Sequence, residues 1–267
     1  MPLLNRLGGS GGGEHVEETI ITASGTYTVP ATGTYRIAAI SAGLSGRCMN
    51  VDEDDNSYIA GEYYEATSGV CGGAGYLVTT LAAGETYAVT ITEKQTSFGN
   101  LITATTGTIN VIDYDDGSCT FGTKTSGSVS GAGVVAFESN NKTNQISIIP
   151  PAFWQNRASK SGITGSGSYR GGSGLFGGDG GNGRVLYNDS VNGVTVIIEG
   201  ASGERGGGSG GTYDWTGGPA YNTVVRRETG SGGGGYGGGG GGCPAGRFYH
   251  GSPGTAGTGC VFIEKIG

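Results

Sequence analysis

The sequence predicts an all-β fold with packed glycine-rich chains inserted ahead of its last strand. Three observations predict it. Outside the glycines, Thr, Ser, Tyr, Val and Ile dominate, helix formers are scarce and only 14% of residues are charged, a composition suited to strands and turns. Short runs of alternating apolar and polar residues recur between turn-forming clusters. Glycine supplies 60 of the 267 residues, about three times the usual share. Its blocks lie mostly in the C-terminal half, and a strand-forming run follows the last of them.

Taken in order, MPLLNRL (1–7) is a short apolar tag and GGSGGG (8–13) a hinge. These residues suit a disordered end or an anchor peptide that docks Leu3, Leu4 and Leu7 on a larger body. Residues 1–15 are therefore set apart as an attachment peptide and hinge. The sandwich portion spans 16–150. EETIITASGTYTVPATGTYRIAAISAG (17–43) reads as two short strands, a turn at Pro30–Gly33 and a longer strand from Thr34. There Tyr35, Ile37 and Ala39 alternate with Thr34, Arg36 and Ala38, giving one face to a core. GGAGYLVTTLAAGETYAVTIT (72–92) reads as strand, AAGE turn, strand, and 96–118 as a further pair with its turn at Thr106–Gly107. SGAGVVAFES (130–139), NQISIIP (144–150) and GVTVIIEG (193–200) are further strands, the second ended by Pro150–Pro151. PAFWQNRASKSG (151–162) is the one segment with some helical character, and it is read as a loop crossing from the sandwich to the glycine region. That region covers 151–257, with a strand at 193–199 and display loops. Residues 258–267 close the sandwich, with Val261 and Ile263 on one face.

Two acidic runs interrupt the strands. Asp52–Asp55 lacks EF-hand spacing and its glycine, so a solvated loop is expected over a calcium site. In Asp113–Asp116 the DDG that follows is a turn signature before it is a metal site. No metal ligands are assigned.

The totals bound function. A chain of 267 residues suits one large all-β domain or two intimately joined ones. A net charge of −7 and a pI near 4.8 argue against nucleic-acid binding and against an anionic membrane surface. No apolar run is long enough to span a membrane and no signal peptide is evident, so synthesis in a cytosol without a classical export signal is expected. Five cysteines (Cys48, Cys71, Cys119, Cys243, Cys260) include no C-x-x-C pair. Reduced, buried thiols are expected over Cys48–Cys71 or Cys243–Cys260 pairing.

No catalytic or cofactor-binding residues are assigned, and no enzyme is expected. GDGGNG (178–183) fits a dinucleotide fingerprint, but no strand leads into it and no helix leaves it. A P-loop is missing, and no G-x-S-x-G sits in an α/β setting. The two histidines, His15 and His250, suit no triad. Carboxylates are plentiful, but nothing picks out a glycosidase pair.

The glycine blocks have two readings. One is a flexible tether, because glycine loses the most backbone entropy on ordering. The other is close packing of extended polyglycine helices, which lack internal hydrogen bonds and so bond laterally. The G-X-Y period of collagen is absent. Several separate blocks, each ending in a strand-like run, favour packing.

Larger residues stand between the blocks. If the glycines pack, these inserts are turns at the ends of the bundle. Tyr213, Trp215, Tyr221, Phe248 and Tyr249, with Arg226, Arg227 and Arg247 nearby, then form the candidate binding surface. Aromatic rings on a rigid support bind sugars or protein loops at low entropic cost. Sealing of the bundle is the competing role, and for Tyr236, alone in its block, it is the better one.

Three passages in order carry a family resemblance. They are SGTYTVPATGTYRIAAISAGLSG (24–46), then GGAGYLVTTLAAGETYAVTIT with TSFGNLITATTG (72–107), then GGGGYGGGGGG through GSPGTAGTGCVFIEK (232–265). Together they resemble the glycine-rich domain of phage tail-fibre, adhesin and related virion proteins. The chain departs from that pattern at 46–70 and 108–192. The resemblance implies a jelly-roll-like antiparallel β-sandwich with an inserted bundle of polyglycine II helices. It further implies a tail-fibre or tail-tip adhesin that binds a bacterial surface glycan or protein. The alternative is a structural virion component, such as a head fibre or decoration protein; a depolymerase is a third reading. The expected location is the virion, as tail fibre or at the particle surface, after assembly in the host cytoplasm. Other virion proteins would be met through the N-terminal segment. Homotrimerisation is a further expectation, with no heptad stretch to enforce it. No nucleic acid, membrane insertion or cofactor is expected.

Overall fold

Ten strands build two antiparallel five-stranded sheets. In chain order they are β1 (Glu18–Ile21), β2 (Gly25–Thr28), β3 (Gly33–Ile40), β4 (Ala74–Leu81), β5 (Thr86–Ile91), β6 (Gln95–Phe98), β7 (Ile102–Thr105), β8 (Val129–Ser130), β9 (Val135–Ala136) and β10 (Cys260–Lys265). The first sheet runs β1-β10-β3-β4-β9 and the second β8-β7-β6-β5-β2. The computed structural model describes residues 17–48, 66–113, 119–140, 147–162, 171–181, 185–187, 196–198, 202–210, 213–215, 226–228, 232–241, 250–251 and 253–267. The N-terminal tag, the acidic run 52–55 and the DDG tip at 115–117 lie outside the described residues.

The period-two pattern positions these strands. Tyr35, Ile37 and Ala39 of β3, Leu77 and Leu81 of β4, and Val261 and Ile263 of β10 point at the second sheet. They pack there with Val89, Phe98, Ile102 and Ala104. The opposite face of the first sheet is buried too. Ala38, Ile40, Cys260 and Phe262 belong to a second core with Trp154, Leu175, Phe176 and Tyr236 from the strap and glycine regions. β3 therefore serves two cores, whereas its sequence predicts one.

The turns expected at Pro30–Gly33 and AAGE are present, and alternation does not reveal which sheets they join. β2 and β3 are in different sheets, as are β4 and β5, so both turns are corners. The two corners hold each other: the Val29 N–H donates to Glu85 O (2.9 Å) and the Gly84 N–H to Val29 O (2.9 Å). The region 96–118 divides earlier than predicted. Gly99, at φ +53°, starts the turn of a β6–β7 hairpin. Thr106–Gly107 then leads into Thr108–Asp113, which pairs with Cys119–Thr125 as a separate ribbon. The stretch 130–139 is broken into β8, β9 and Glu138–Asn140, around Gly131 and Gly133 at φ +142° and +71°. Val196–Ile198 pairs outside the sandwich.

The crossing segment is a strap over the first sheet. Ala152–Arg157 is a 3-10 helix, and Ala158–Ser159 then pairs with Gly174–Leu175. Trp154 anchors it at 2% exposure, edge-on to Phe262 (5.4 Å), Phe176 (5.2 Å) and Tyr76 (5.6 Å). Each such pair contributes about 0.5–1.5 kcal/mol beyond area burial. Arg36 stacks its guanidinium 3.9 Å from the Phe153 ring and pairs with Glu264 at 2.8 Å. Arg157 reaches Glu18 at the end of the same cross-strand row, with Nη2 2.5 and 2.6 Å from the two carboxylate oxygens. Glu18 and Glu264 are register partners, so each of two neighbouring carboxylates has its own arginine.

Candidate functional site

Glycine allows chains to approach where a Cβ would collide, and residues 232–241 use this throughout. All ten are buried. Their N–H groups donate to different neighbours along the block: Gly232 to Gly181 O (2.9 Å), Gly233 to Thr255 O (3.0 Å), Gly234 to Gly172 O (2.9 Å), Gly237 to Thr258 O (2.9 Å) and Gly240 to Leu44 O (3.0 Å). Their carbonyls accept in turn from Gly208, Gly172, Gly257, Gly72 and Gly69. The segments 171–181, 206–209 and 253–258 therefore surround 232–241, and the sandwich holds it through Leu44, Gly69 and Gly72. A Cβ on Gly238 would lie 2.7 Å from Gly172 O and from Gly234 N.

Tyr236 interrupts the block without exposing itself. Flanked by Gly235 and Gly237 at φ +46° and +83°, it pairs with Leu175 and is 2% exposed. Burial pushes its phenol up to about 12. Below it Cys260 is fully buried and its thiol is pushed well above the ordinary value by desolvation; Cys71 rises to about 11 for the same reason. Both thiols are free.

Four of the eight sequence-derived binding residues fall on two small sheets. Tyr213 and Trp215 lie on the strand Tyr213–Trp215, between Val196–Ile198 and His250–Gly251. Arg226 and Arg227 lie on Arg226–Glu228, which pairs with Val185–Tyr187 in a separate sheet. Tyr221, Arg247, Phe248 and Tyr249 lie outside the described residues, although the strand that follows Tyr249 is the one beside Tyr213 and Asp214. Tyr213–Trp215 and His250–Gly251 thus come together, while Arg226 and Arg227 belong to the other sheet.

Two features carry no sequence signal. The first is a groove of about 510 Å³ between the strap and the glycine region, with Arg157, Phe176, Glu204 and Arg205 among its lining residues. Among the described residues Phe176 is the one non-glycine with positive φ, at 56°. Its ring lies flat on Phe262 (4.2 Å, 7°) and its N–H donates to Arg157 O at 2.7 Å, which offsets a left-handed backbone cost of about 1–2 kcal/mol. The second is Lys124, whose Nζ donates to Ser68 Oγ (3.2 Å) and to Ser68 O (3.3 Å). Desolvation lowers the Lys124 pKa, but Ser68 is 2% exposed. The ammonium anchors the chain at Ser68 rather than activating an accessible nucleophile.

Among the described residues no group of three or more His, Cys, Asp or Glu side chains is placed to hold a metal ion. No described helix is long and apolar enough to cross a membrane. No protein-family model, curated protein or solved structure matches the chain.

Proposed function

We propose that this chain is a phage tail-fibre or tail-tip adhesin that binds a bacterial cell-surface glycan or protein. Its glycine segments are polyglycine II helices carried by a jelly-roll-type sandwich, and the small sheets between them present the receptor-binding loops. The observation that carries the reading is the burial and lateral hydrogen bonding of 232–241. Successive N–H groups reach several neighbouring chains, as three-fold polyglycine helices require and a two-sided strand does not allow. A support held on every side presents its inserts at little entropic cost on binding. Tyr213 and Trp215 stand on such an insert, and Tyr221, Arg247, Phe248 and Tyr249 belong to the segments next to it in sequence. Arg226 and Arg227 supply a second charged edge.

The test is adsorption of purified, labelled protein to cells of the host bacterium, repeated after replacing 212–228 and 243–253. The reading expects saturable binding that the replacements abolish while the folded core survives. Absence of binding, or binding indifferent to both replacements, refutes it.

A structural virion component is the second reading. It is favoured by exposed apolar side chains on the first sheet and its strap: Val78 (50% exposed) and Val135 (51%) on the sheet and Phe153 (43%) on the strap. That role predicts many copies per particle and normal phage adsorption after deletion.

A further inference from the structure

The groove beside the strap is held in place by backbone hydrogen bonds among described residues. Backbone hydrogen bonds fix its three walls to one another. The Phe176 N–H donates to Arg157 O (2.7 Å), the Gly178 N–H to Arg205 O (2.8 Å), and the Glu204 N–H to Asp179 O (2.9 Å). The Ser159 hydroxyl donates to Gly177 O at 2.6 Å. The floor, Phe176–Gly178, has almost no lateral freedom, since a Cβ on Gly178 would collide with the Glu204 side chain. Its left-handed Phe176 is the kind of local strain that the surrounding contacts must hold in place.

The side chains around this frame are largely polar. Arg157 engages Glu18 through Nη2 alone. Asn156, Glu204 and Arg205 make no side-chain hydrogen bond or ion pair to another described residue. Glu204 and Arg205 are exposed. The groove therefore offers guanidinium donors, a carboxylate acceptor and a carboxamide that both donates and accepts. Formal charge balances, Arg157 against Glu18 and Arg205 against Glu204. A volume of about 510 Å³ lies within the small-ligand range of roughly 300–1,000 Å³. The polar lining disfavours an apolar ligand, and Glu204 disfavours an anion. What remains is a neutral molecule with several adjacent hydroxyl groups.

We infer that the groove formed by Asn156, Arg157, Phe176, Glu204 and Arg205 is a binding site for a neutral sugar of one or two rings. The glycan source of such a sugar rests on the adhesin reading; binding of the free sugar does not. The site would give the protein a further foothold on a glycan.

The experiment is saturation-transfer NMR on the full chain with methyl glycosides of glucose, galactose, mannose, rhamnose, N-acetylglucosamine and N-acetylgalactosamine. Glucuronic acid and inorganic phosphate are the charged probes. Variants are Arg205→Ala and Asn156→Ala. Arg205 and Asn156 are exposed, and a thermal scan checks that both variants remain folded. Expected is binding of at least one neutral glycoside, weakened about tenfold or more in each variant, as loss of a charge-assisted or shared hydrogen bond implies. Binding should be insensitive to added salt. Three results overturn the inference: no neutral glycoside bound at about 20 mM, well above the ~1 mM affinity of a weak site; neutral binding unchanged in both variants; or binding of the charged probes alone. Cell adsorption that persists when glycoside binding is lost leaves the adhesin reading standing without this site.

Discussion

Replacing Gly238 by alanine separates a packed glycine block from a tether, because only the packed block is destabilised. Gly238 has no positive φ, so alanine meets no backbone penalty there. In a mobile tether the substitution would restrict the folded and the unfolded chain alike and leave stability almost unchanged. In this structure the new Cβ would lie 2.7 Å from Gly172 O and Gly234 N, and closer still to Gly234 O. Two neighbouring chains must then move apart, and Gly172 and Gly234 are themselves bonded to each other. Forcing a methyl group into such packing costs about 1–3 kcal/mol. The expected result is a net destabilisation of about 1–2 kcal/mol, a fall in Tm of roughly 2–8 °C for a chain of this size. Differential scanning calorimetry measures it. Gly25→Ala is the control, because nothing lies within 4 Å of a Cβ there; it should change stability by less than about 0.5 kcal/mol. Equal effects at Gly25 and Gly238, or a rise in Tm for Gly238→Ala, would refute the packing argument.

Other expectations concern the strap and the buried titrating groups. Trp154→Ala removes the ring at the centre of the second core and should cost about 3–5 kcal/mol in urea denaturation, with Phe153→Ala, 43% exposed, costing clearly less. Equal losses at both positions would mean that Trp154 is not the anchor. Burial raises the folded-state values of Cys71 to about 11 and Tyr236 to about 12, above ordinary values of 9.0 and 10.0. The folded state therefore favours the protonated forms. Their stabilisation is fully present below pH 9 and is lost as pH rises through the folded values. The urea midpoint should change little from pH 7 to 9 from these groups and fall between about pH 9 and 12; Cys71→Ser should reduce that fall, and an unchanged slope would contradict the assignment. Thiol labelling at pH 8, mapped by mass spectrometry, should leave Cys71 and Cys260 unmodified until the protein unfolds, whereas labelling in the native state would contradict their burial.

Local pattern made much of the sandwich legible. The alternation of β3 and the closing run at 260–265 carry their facing residues openly, and the return of that run after the glycines already disfavours a tether. What alternation does not encode is which sheet a strand joins. AAGE looks like a hairpin turn, yet it is a corner because Val29 is there to bond with Gly84 and Glu85. The outer face of β3 was hidden for a related reason. Ala38 and Ile40 are covered by Trp154, Leu175 and Phe176, which arrive from distant parts of the chain. Trp154 reads as polar in sequence because its neighbours Gln155, Asn156 and Arg157 are polar, while the rings that bury it are scattered from Tyr76 to Phe262. The groove had no motif to find. Arg157 and Arg205 are brought together by the glycine frame, and Phe176 takes a backbone conformation that nothing in LFGG announces. Of the aromatic inserts, the strand at Tyr213–Trp215 extends the idea of a turn into a small sheet.

Backbone amide hydrogen exchange at Gly232–Gly240, followed by NMR on labelled protein, tests the central claim most directly. The lattice described here predicts slow exchange for Gly232, Gly233, Gly234, Gly237 and Gly240, each of which donates to a neighbouring chain. Protection should approach that of β3 and β10. Exchange of these five amides at the rate of an unstructured glycine peptide, with the sandwich strands protected, would contradict it.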